Sequence, residues 1–254
     1  MIEFRNLHKS FGTQQVLRGV NLVVNEGETL ALLGPSGTGK SVLIKHAIGL
    51  LEPDQGDVIV DGTSIAHATR EDLRRVRRKL GYVFQNSALF DSLTVGENLW
   101  LAQEDETGCR NIQDCASEAA ALLERVNLDP DVLSKYPSEL SGGMRKRVGV
   151  ARAIASRPEY LLWDEPTTGL DPVNADTIDD LIMDLARNLG VTSIVVTHDL
   201  DTAFEVGDRI ALLFDGQIRA VDTPTGILGN PDPLVRRFVR RTRADEAESP
   251  HRGQ

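Results

Sequence analysis

The chain has 254 residues, of which 41% are hydrophobic, and a formal net charge of −10 at pH 7. This length and apolar content suffice for a buried core in one large domain or two subdomains, and the acidic balance argues against general nucleic-acid binding. No apolar run approaches the ~18 residues of a membrane-spanning helix, and residues 1–10 lack a signal-peptide core, so we expect a cytosolic protein whose membrane role depends on a partner.

Short β-like runs fill residues 1 to about 35, and the last of them leads into the segment GPSGTGKS at Gly34–Ser41. Apolar residues at helical spacing follow over residues 41–51. A glycine-rich segment in a strand-to-helix turn is the context that supports a P-loop, because its backbone N–H groups and the helix N-terminus favour phosphate oxygens. We predict that Lys40 reaches the β- and γ-phosphates of a nucleotide and that the Ser41 hydroxyl binds Mg²⁺.

Three features flank this segment. Phe11 can stack on an adenine base or belong to the core. After a β-like run at residues 56–62 comes a basic run from Arg70 to Lys79, which we interpret as a solvated helix face because Glu71 and Asp72 interleave with the arginines. A strand over residues 79–84 then leads into Gln85, whose amide oxygen can serve Mg²⁺ or water, or an interfacial or capping contact.

From about residue 87 to 156 the pattern becomes helical, with predicted helices at 95–102, 115–128 and 142–155. The polar connector at 104–111 precedes Cys115 and contains Cys109, and we interpret both cysteines as ordinary surface thiols. The last helix starts in LSGGM, Leu140–Met144, which has no lysine and whose glycine pair we expect to be exposed. Because it lacks a lysine, this segment is suited to contact a phosphate that another segment already binds.

Strands return at Tyr160, and polar groups follow two of them. The run YLLWDE places Asp164 and Glu165 at the end of a buried strand, where α/β sheets present their ligand groups. We predict that Asp164 binds Mg²⁺ through a coordinated water and that Glu165 orients and deprotonates the attacking water, the alternative being an acidic turn. His198 ends another apolar strand and can contact the γ-phosphate and the water, or be structural.

In their order along the chain these segments resemble the motifs of ATP-binding-cassette (ABC) ATPases, over residues 2 to about 230. Phe11 matches the adenine-stacking position, and the other matches are the Walker A loop Gly34–Ser41, the Q-loop Gln85, the signature Leu140–Met144, the Walker B strand Tyr160–Glu165, the D-loop Gly169–Pro172 and the switch His198. Met144 departs from the family, where most members have Gln.

The resemblance implies an α/β P-loop NTPase fold of the ABC nucleotide-binding type, with an antiparallel β subdomain and an inserted helical subdomain at about 87–156. The implied ATPase domain is 1–230, followed by a basic extension at 231–243 and a disordered tail at 244–254. It also implies ATP and Mg²⁺ as cofactors and two subunits packed head to tail, each clamping its ATP between one Walker A loop and the other subunit's signature.

The residues that the resemblance assigns to this site fall into three groups. The nucleotide-binding residues are Phe11, Gly34, Pro35, Ser36, Gly37, Thr38, Gly39, Lys40, Ser41, Val42, Ser141, Gly142, Gly143 and Asp171. The catalytic residues are Lys40, Gln85, Glu165 and His198, and the metal ligands are Ser41, Gln85 and Asp164.

A narrower resemblance concerns residues 83–99, the basic lead-in at 76–84, the LSGGM variant and residues 230–239, which are similar to the ATPases of Mla and Mce-associated lipid transport systems. It implies a separate permease, an Mce-type substrate-binding protein, a small accessory protein reached by the C-terminal extension, and a peripheral location at the cytoplasmic face of the inner membrane. The alternatives are an amino-acid importer and a soluble ABC ATPase. We expect the permease to dock on Leu89, Phe90, Leu93 and Val95, unless these belong to the core.

Overall fold

The structure, a computed structural model, describes residues 1–107 and 115–247. These belong to two units, one formed by Met1–Leu73 with Thr192–Gln254 (unit 1) and the other by Arg74–Val191 (unit 2). The strands are β1 Ile2–Phe11, β2 Gln14–Val24, β3 Thr29–Leu33, β4 Gln55–Val60, β5 Thr63–Ser64, β6 Leu80–Val83, β7 Tyr160–Asp164, β8 Thr192–Thr197, β9 Arg209–Phe214 and β10 Gln217–Asp222. The α-helices are α1 Lys40–Ala47, α2 Arg70–Arg78, α3 Val95–Thr107, α4 Ala116–Arg125, α5 Gly142–Ile154, α6 Pro172–Leu189, α7 Leu200–Val206, α8 Pro224–Leu228 and α9 Pro233–Ala247.

Unit 1 contains the predicted antiparallel subdomain and the strand that carries the P-loop. The antiparallel sheet has the order β2-β1-β4-β5. In the second set of strands, β3 pairs in parallel with β8 on one side and β9 on the other, and β10 is antiparallel to β9. All five residues of β3 are buried, which explains its continuous apolar run. The parallel pairing brings the carboxyl ends of β3 and β8 to the same edge, next to the P-loop and His198.

The C-terminal extension is part of the core of unit 1. On α9, Val235 is fully buried and Val239 is 7% exposed, and both pack in one cluster with residues of β3, β9 and α7. The ring of Phe238 meets Phe214 edge to face, with centroids 5.2 Å apart. The opposite face carries the exposed Arg236, whereas residues 248–254 lie outside the described part of the chain. The helix is therefore amphipathic, with an apolar face inside and a basic face outside.

In the described part of unit 2, the parallel pair β6–β7 combines with the C-terminal half of α2, the helices α3 to α6, and 3-10 turns at Pro130–Ser134 and Pro137–Glu139. Every residue of β7 is buried, including Trp163 at 0% exposure. Helix α5 packs on both α3 and α4, and its inner face buries Val148, Ala151 and Ile154. The sequence-predicted helices in this region are thus confirmed.

Several expectations about individual side chains are settled by burial. Helix α2 buries only Val76, so the basic run is an exposed face as predicted. Val95 is fully buried in the core, so its assignment to a permease-docking surface is wrong. Cys115 is not a surface thiol, because it is 1% exposed, while Cys109 lies outside the described residues. No helix in the described part of the chain is long and apolar enough to span a bilayer.

Candidate functional site

The P-loop lies between the end of β3 at Leu33 and the start of α1 at Lys40. A Cβ added to Gly34 would clash with the carbonyl oxygen of Leu213, and one added to Gly39 would lie 2.7 Å from a methyl of Val16. Gly37 has a φ of 79° and open space around it. Glycine is therefore required at two positions by packing and at the third by conformation, and the exposed position leaves the backbone accessible to a phosphate.

Lys40 is 4% exposed and lies along this loop. Its Nζ donates hydrogen bonds to the carbonyl oxygens of Gly34 at 2.8 Å and Pro35 at 3.2 Å. The N-cap residue of α1 is Gly39, which has no side chain to cover the first-turn amides. An ammonium beside a glycine loop at a helix N-terminus is suited to phosphate oxygens. The residues Pro35, Ser36, Thr38, Ser41 and Val42 lie in the same loop or in the first turn of α1.

Two further predicted residues belong to unit 1. Phe11 is the last residue of β1 and is 47% exposed, with Nζ of Lys9 5.6 Å from its ring centroid. This exposure favours a stacking surface over a core position. His198 is exposed and follows β8 directly, and the next residue, Asp199, caps α7 by accepting hydrogen bonds from Asp201 N at 2.8 Å and Thr202 N at 3.3 Å. The imidazole is thus carried on a short connection fixed at both ends.

The two predicted carboxylates of unit 2 have different surroundings. Asp164 ends β7 at 6% exposure, and the Tyr82 hydroxyl donates to its Oδ2 at 2.7 Å. Burial, and then the negative charge of Asp164, raise the pKa of Tyr82 far above its ordinary value. Glu165 has a φ of 50°, a conformation uncommon for a residue with a Cβ, and accepts a 2.9 Å hydrogen bond from the Thr168 hydroxyl.

The loop after Glu165 is held by the signature helix. Nζ of Lys146, on α5, donates to the carbonyl oxygens of Pro166 and Thr168, each at 2.6 Å. Burial lowers the pKa of this ammonium, and the nearby Glu165 charge acts in the opposite direction. Lys146 therefore joins the helix that starts at the signature to the loop that carries the catalytic glutamate candidate.

The signature itself forms the N-terminus of α5, where Ser141 caps the helix by accepting a 3.2 Å hydrogen bond from Met144 N. Its two glycines differ. A Cβ on Gly142 would meet nothing within 4 Å, whereas one on Gly143 would lie 2.5 Å from Oδ1 of Asn174. The predicted exposure of the glycine pair thus holds for Gly142 alone, and Gly143 is buried.

The D-loop residue Asp171 caps α6 and fixes Asn174. Its carboxylate accepts hydrogen bonds from Asn174 N at 3.1 Å and Asn174 Nδ2 at 2.6 Å. The hydrogen bond from the Asn174 side chain lowers the pKa of Asp171. Asn174 therefore links Asp171 to Gly143, so that the D-loop and the signature are in contact within one subunit.

Gln85 is exposed and lies two residues beyond the end of β6. The following Ser87 and Ala88 have φ values of 61° and 48°. Arg152 of α5 donates to the carbonyl oxygens of both residues, Nη1 to Ala88 at 2.6 Å and Nη2 to Ser87 at 3.2 Å. The segment after Gln85 is therefore held in an unusual backbone conformation by the same helix that carries the signature.

Sequence reasoning missed four residues that hold the predicted ones, namely Tyr82, Lys146, Arg152 and Asn174. None stands in a motif chosen for its chemistry, although Tyr82 precedes Gln85 by three positions and Lys146 follows Met144 by two. Periodicity could place both on their elements. It could not show which backbone or carboxylate atoms they would meet.

The donor types fit the implied cofactors. No group of three or more His, Cys, Asp or Glu side chains that could cage a metal occurs among residues 1–102 and 115–240, whose side chains the structure describes. The proposed Mg²⁺ ligands Ser41, Gln85 and Asp164 all offer hard oxygen atoms, and Mg²⁺ commonly binds proteins through one or two carboxylates together with substrate phosphates. At Gly34 and Gly39 the neighbouring Leu213 and Val16 leave no room for a Cβ, so the loop presents its backbone, which suits phosphate oxygens.

Comparisons with known proteins identify the family of this chain. The sequence profile described as "ABC transporter" matches residues 17–168. The chain is similar to the probable ribonucleotide transport ATP-binding protein Mkl of Mycobacterium tuberculosis, 39% identical over 244 residues, which are 95% of this chain and 67% of Mkl. It is also similar to the phosphonates import ATP-binding protein PhnC of Alcaligenes faecalis, 42% identical over 236 residues, 88% of this chain and 85% of PhnC.

Among solved structures, the chain is similar to the ATP-binding cassette MJ0796 in a dimeric post-hydrolysis state bound to ADP and Pi. The TM-score is 0.81 at 33% identity, and the match covers 88% of this chain and 99% of the MJ0796 chain. This likeness confirms the predicted α/β fold.

Proposed function

This chain belongs to the ABC transporter family, as one of its ATP-binding ATPases, and we propose that it works as a head-to-tail homodimer that drives transport through a separate permease. The observation that carries the catalytic part is the adjacent pair Asp164 and Glu165 at the end of the buried strand β7, each accepting a hydrogen bond from a hydroxyl group. Adjacent carboxylates with separate fixed partners can take separate roles, one toward a cation and one toward a water.

The residues of unit 1 act on the phosphates. Lys40 exchanges its carbonyl partners for the β- and γ-phosphate oxygens of ATP. The backbone amides of Gly37 and of the start of α1 bind oxygens of the same phosphate groups. Phe11 offers its exposed ring to the adenine. His198 donates a hydrogen bond to the γ-phosphate and orients the attacking water.

The residues of unit 2 act on the cation, on the attacking water and on the ATP of the second copy. When bound, Mg²⁺ neutralises charge on the phosphate oxygens during transfer to water. Asp164 and Gln85, with Ser41 of unit 1, are its proposed ligands. Glu165 accepts the proton of the attacking water. Ser141 and Gly142 bind the γ-phosphate of the ATP on the second copy, and Asp171 supports that contact through Asn174 and Gly143.

Phosphate release by the purified chain tests the reaction. We expect Mg²⁺-dependent turnover that is nearly abolished in Lys40→Ala and Glu165→Gln, while the exposed control Lys135→Gln keeps it. Glu165→Gln should also accumulate an ATP-bound dimer in size-exclusion chromatography, because closure persists when hydrolysis is blocked. Substantial turnover in Glu165→Gln would remove Glu165 as the principal base.

For the transported substrate we propose a lipid or another hydrophobic molecule. This rests on the resemblance of residues 83–99 and 230–239 to lipid-transport ATPases. An importer of a polar solute is the second candidate, favoured by the names of the relatives, which concern ribonucleotides for Mkl and phosphonates for PhnC. Purification of the membrane complex and mass spectrometry of its bound molecules distinguishes them: co-purified phospholipid supports the first, and a bound polar solute supports the second.

The permease contact we propose lies on the loop that carries Phe90. This side chain is 56% exposed, and its backbone is fixed by the buried Asn98. A rigid aromatic anchor in an exposed position is suited to a partner's pocket. The permease places the subunit at the cytoplasmic face of the membrane, with Mce-type and accessory proteins as further partners, the latter on the exposed face of α9.

A further inference from the structure

Tyr82 lies outside every motif used above, yet it contacts the carboxylate proposed to bind the cation. It belongs to β6, which runs parallel to β7 with Tyr82 opposite Leu162. From this register its hydroxyl reaches Asp164 Oδ2 at 2.7 Å, and its ring lies against Phe84 with centroids 4.3 Å apart. The side chain is therefore held by packing and aimed at one oxygen of Asp164. Fixing one oxygen of a carboxylate fixes the direction of the other.

Lys146 performs a comparable task for Glu165 from a different element. Its two 2.6 Å hydrogen bonds span the carbonyl oxygens of Pro166 and Thr168, which are one and three residues after Glu165. The Thr168 hydroxyl in turn donates to Glu165 Oε2 at 2.9 Å. Because Glu165 itself has an uncommon positive φ of 50°, this short loop needs outside support to keep its shape.

We propose that Tyr82 and Lys146 are positioning residues, Tyr82 for Asp164 and Lys146 for Glu165, so that cation binding and water activation are held by separate contacts. The proposal rests on the roles of the two carboxylates in the proposed function. Under this proposal, loss of the Tyr82 contact affects Asp164 and cation binding, whereas loss of the Lys146 contacts affects Glu165 and activation of the water. Residues that orient a metal ligand commonly change affinity or activity by about 10- to 100-fold when they are removed.

The test of Tyr82 is Tyr82→Phe, which removes the hydroxyl and keeps the ring against Phe84. We expect the Mg²⁺ concentration for half-maximal hydrolysis to rise about tenfold, with the KM for ATP at saturating Mg²⁺ unchanged. Electron paramagnetic resonance of Mn²⁺ with a non-hydrolysable ATP analogue should show the same loss of affinity without turnover. Unchanged Mn²⁺ affinity and unchanged Mg²⁺ dependence would overturn the role of Tyr82.

The test of Lys146 is Lys146→Met, which keeps the length of the side chain but leaves both carbonyl oxygens without this donor. We expect kcat to fall about tenfold or more, while the Mg²⁺ requirement and Mn²⁺ binding stay as in the wild type. Lys146→Gln, which retains one donor group, should recover part of kcat and serves as the second variant if Lys146→Met folds poorly. A kcat within twofold of the wild type in both variants would overturn the role of Lys146.

Matched controls separate positioning from general damage. Tyr136→Phe and Lys135→Gln alter exposed side chains of the same types in unit 2 and should change none of these readouts. Asp164→Asn and Glu165→Gln test the proposed function itself. If both abolish hydrolysis while Tyr82→Phe and Lys146→Met behave as wild type, the positioning proposal alone fails. If Asp164→Asn and Glu165→Gln keep full hydrolysis, the proposed function fails, and the positioning proposal fails with it.

Discussion

Gly143 of the signature lies against Asn174, with Oδ1 of Asn174 2.5 Å from the place where a Cβ would stand. Asn174 cannot easily move aside, because Asp171 holds its backbone and side-chain nitrogens. The neighbouring Gly142 has open space instead. The two glycines of the signature therefore have different roles: Gly143 packs against Asn174 within the subunit, whereas Gly142 faces the proposed ligand.

This difference predicts opposite results for two alanine variants. Gly143→Ala should lower the free energy of unfolding by about 1–3 kcal/mol, since Asn174 or the helix must shift. Gly142→Ala should keep or slightly raise it, because alanine is favoured over glycine in a helix by about 0.5–1 kcal/mol, yet it should strongly reduce hydrolysis. Urea unfolding and phosphate release measure both. Equal stability losses would contradict the assignment of Gly142 to the ligand side.

The loop of Phe90 yields a second pair. Asn98 is fully buried, accepts a hydrogen bond from Phe90 N, and donates from Nδ2 to the carbonyl oxygens of Phe90, Leu93 and Thr94. Asn98→Ala leaves these buried groups unpaired and should lower the free energy of unfolding by about 2–3 kcal/mol.

Phe90→Ala, in contrast, should change stability by less than about 0.5 kcal/mol, because the side chain is 56% exposed. We expect the isolated Phe90→Ala subunit to hydrolyse ATP at the wild-type rate. We expect the membrane complex that contains this variant to lose transport activity. Thermal unfolding and transport assays on both variants check this. A large stability loss in Phe90→Ala would place Phe90 in the core and remove the docking proposal.

The parts of this site that depend on local sequence were predictable, whereas the parts that depend on tertiary contacts were not. The P-loop was predictable because glycine spacing, a preceding apolar strand and a following helix are all local signals. Val95 was misassigned, since an apolar residue at a helix start reads the same whether it faces the core or a partner. Tyr82 and Lys146 escaped notice because their acceptors lie 82 and at least 20 positions away along the chain.

The burial of the C-terminal extension also depends on tertiary contacts that local sequence does not show. Its charge pattern was visible as a basic run, but the burial of Val235 depends on the cluster that β3, β9 and α7 form. A deletion after Pro231 would therefore remove core residues together with the exposed arginines. Single substitutions on the two faces of α9 separate these effects.

His46 gives a prediction about pH. The imidazole is fully buried on α1 with Nδ1 2.7 Å from Val42 O, and burial lowers its pKa below the ordinary value of 6.5. Below about pH 6.5 the unfolded chain therefore binds a proton that the folded chain does not, so the free energy of unfolding decreases as pH falls, by up to about 1.4 kcal/mol per pH unit.

Urea unfolding between pH 7.5 and 5.5 measures this decrease, and His46→Gln provides the comparison because its side chain does not titrate. We expect the stability difference between wild type and His46→Gln to shrink as pH falls, while the difference at pH 7.5 reflects the packing of His46 and its contact with Val42 O. Parallel curves for the two proteins would mean that His46 does not titrate differently in the folded and unfolded states.

The two faces of α9 predict separate defects in folding and in assembly. Val235→Asp places a charge in a fully buried position and should unfold or strongly destabilise the subunit, by several kcal/mol. Arg237→Glu reverses a charge on the exposed face and should leave the unfolding transition within about 0.5 kcal/mol of the wild type. If the basic face binds an acidic accessory protein, Arg237→Glu should weaken co-purification of that protein from membranes and leave hydrolysis by the isolated subunit intact. Recovery of the full complex with Arg237→Glu, and with Arg236→Glu and Arg240→Glu added, would show that this face takes no part in assembly.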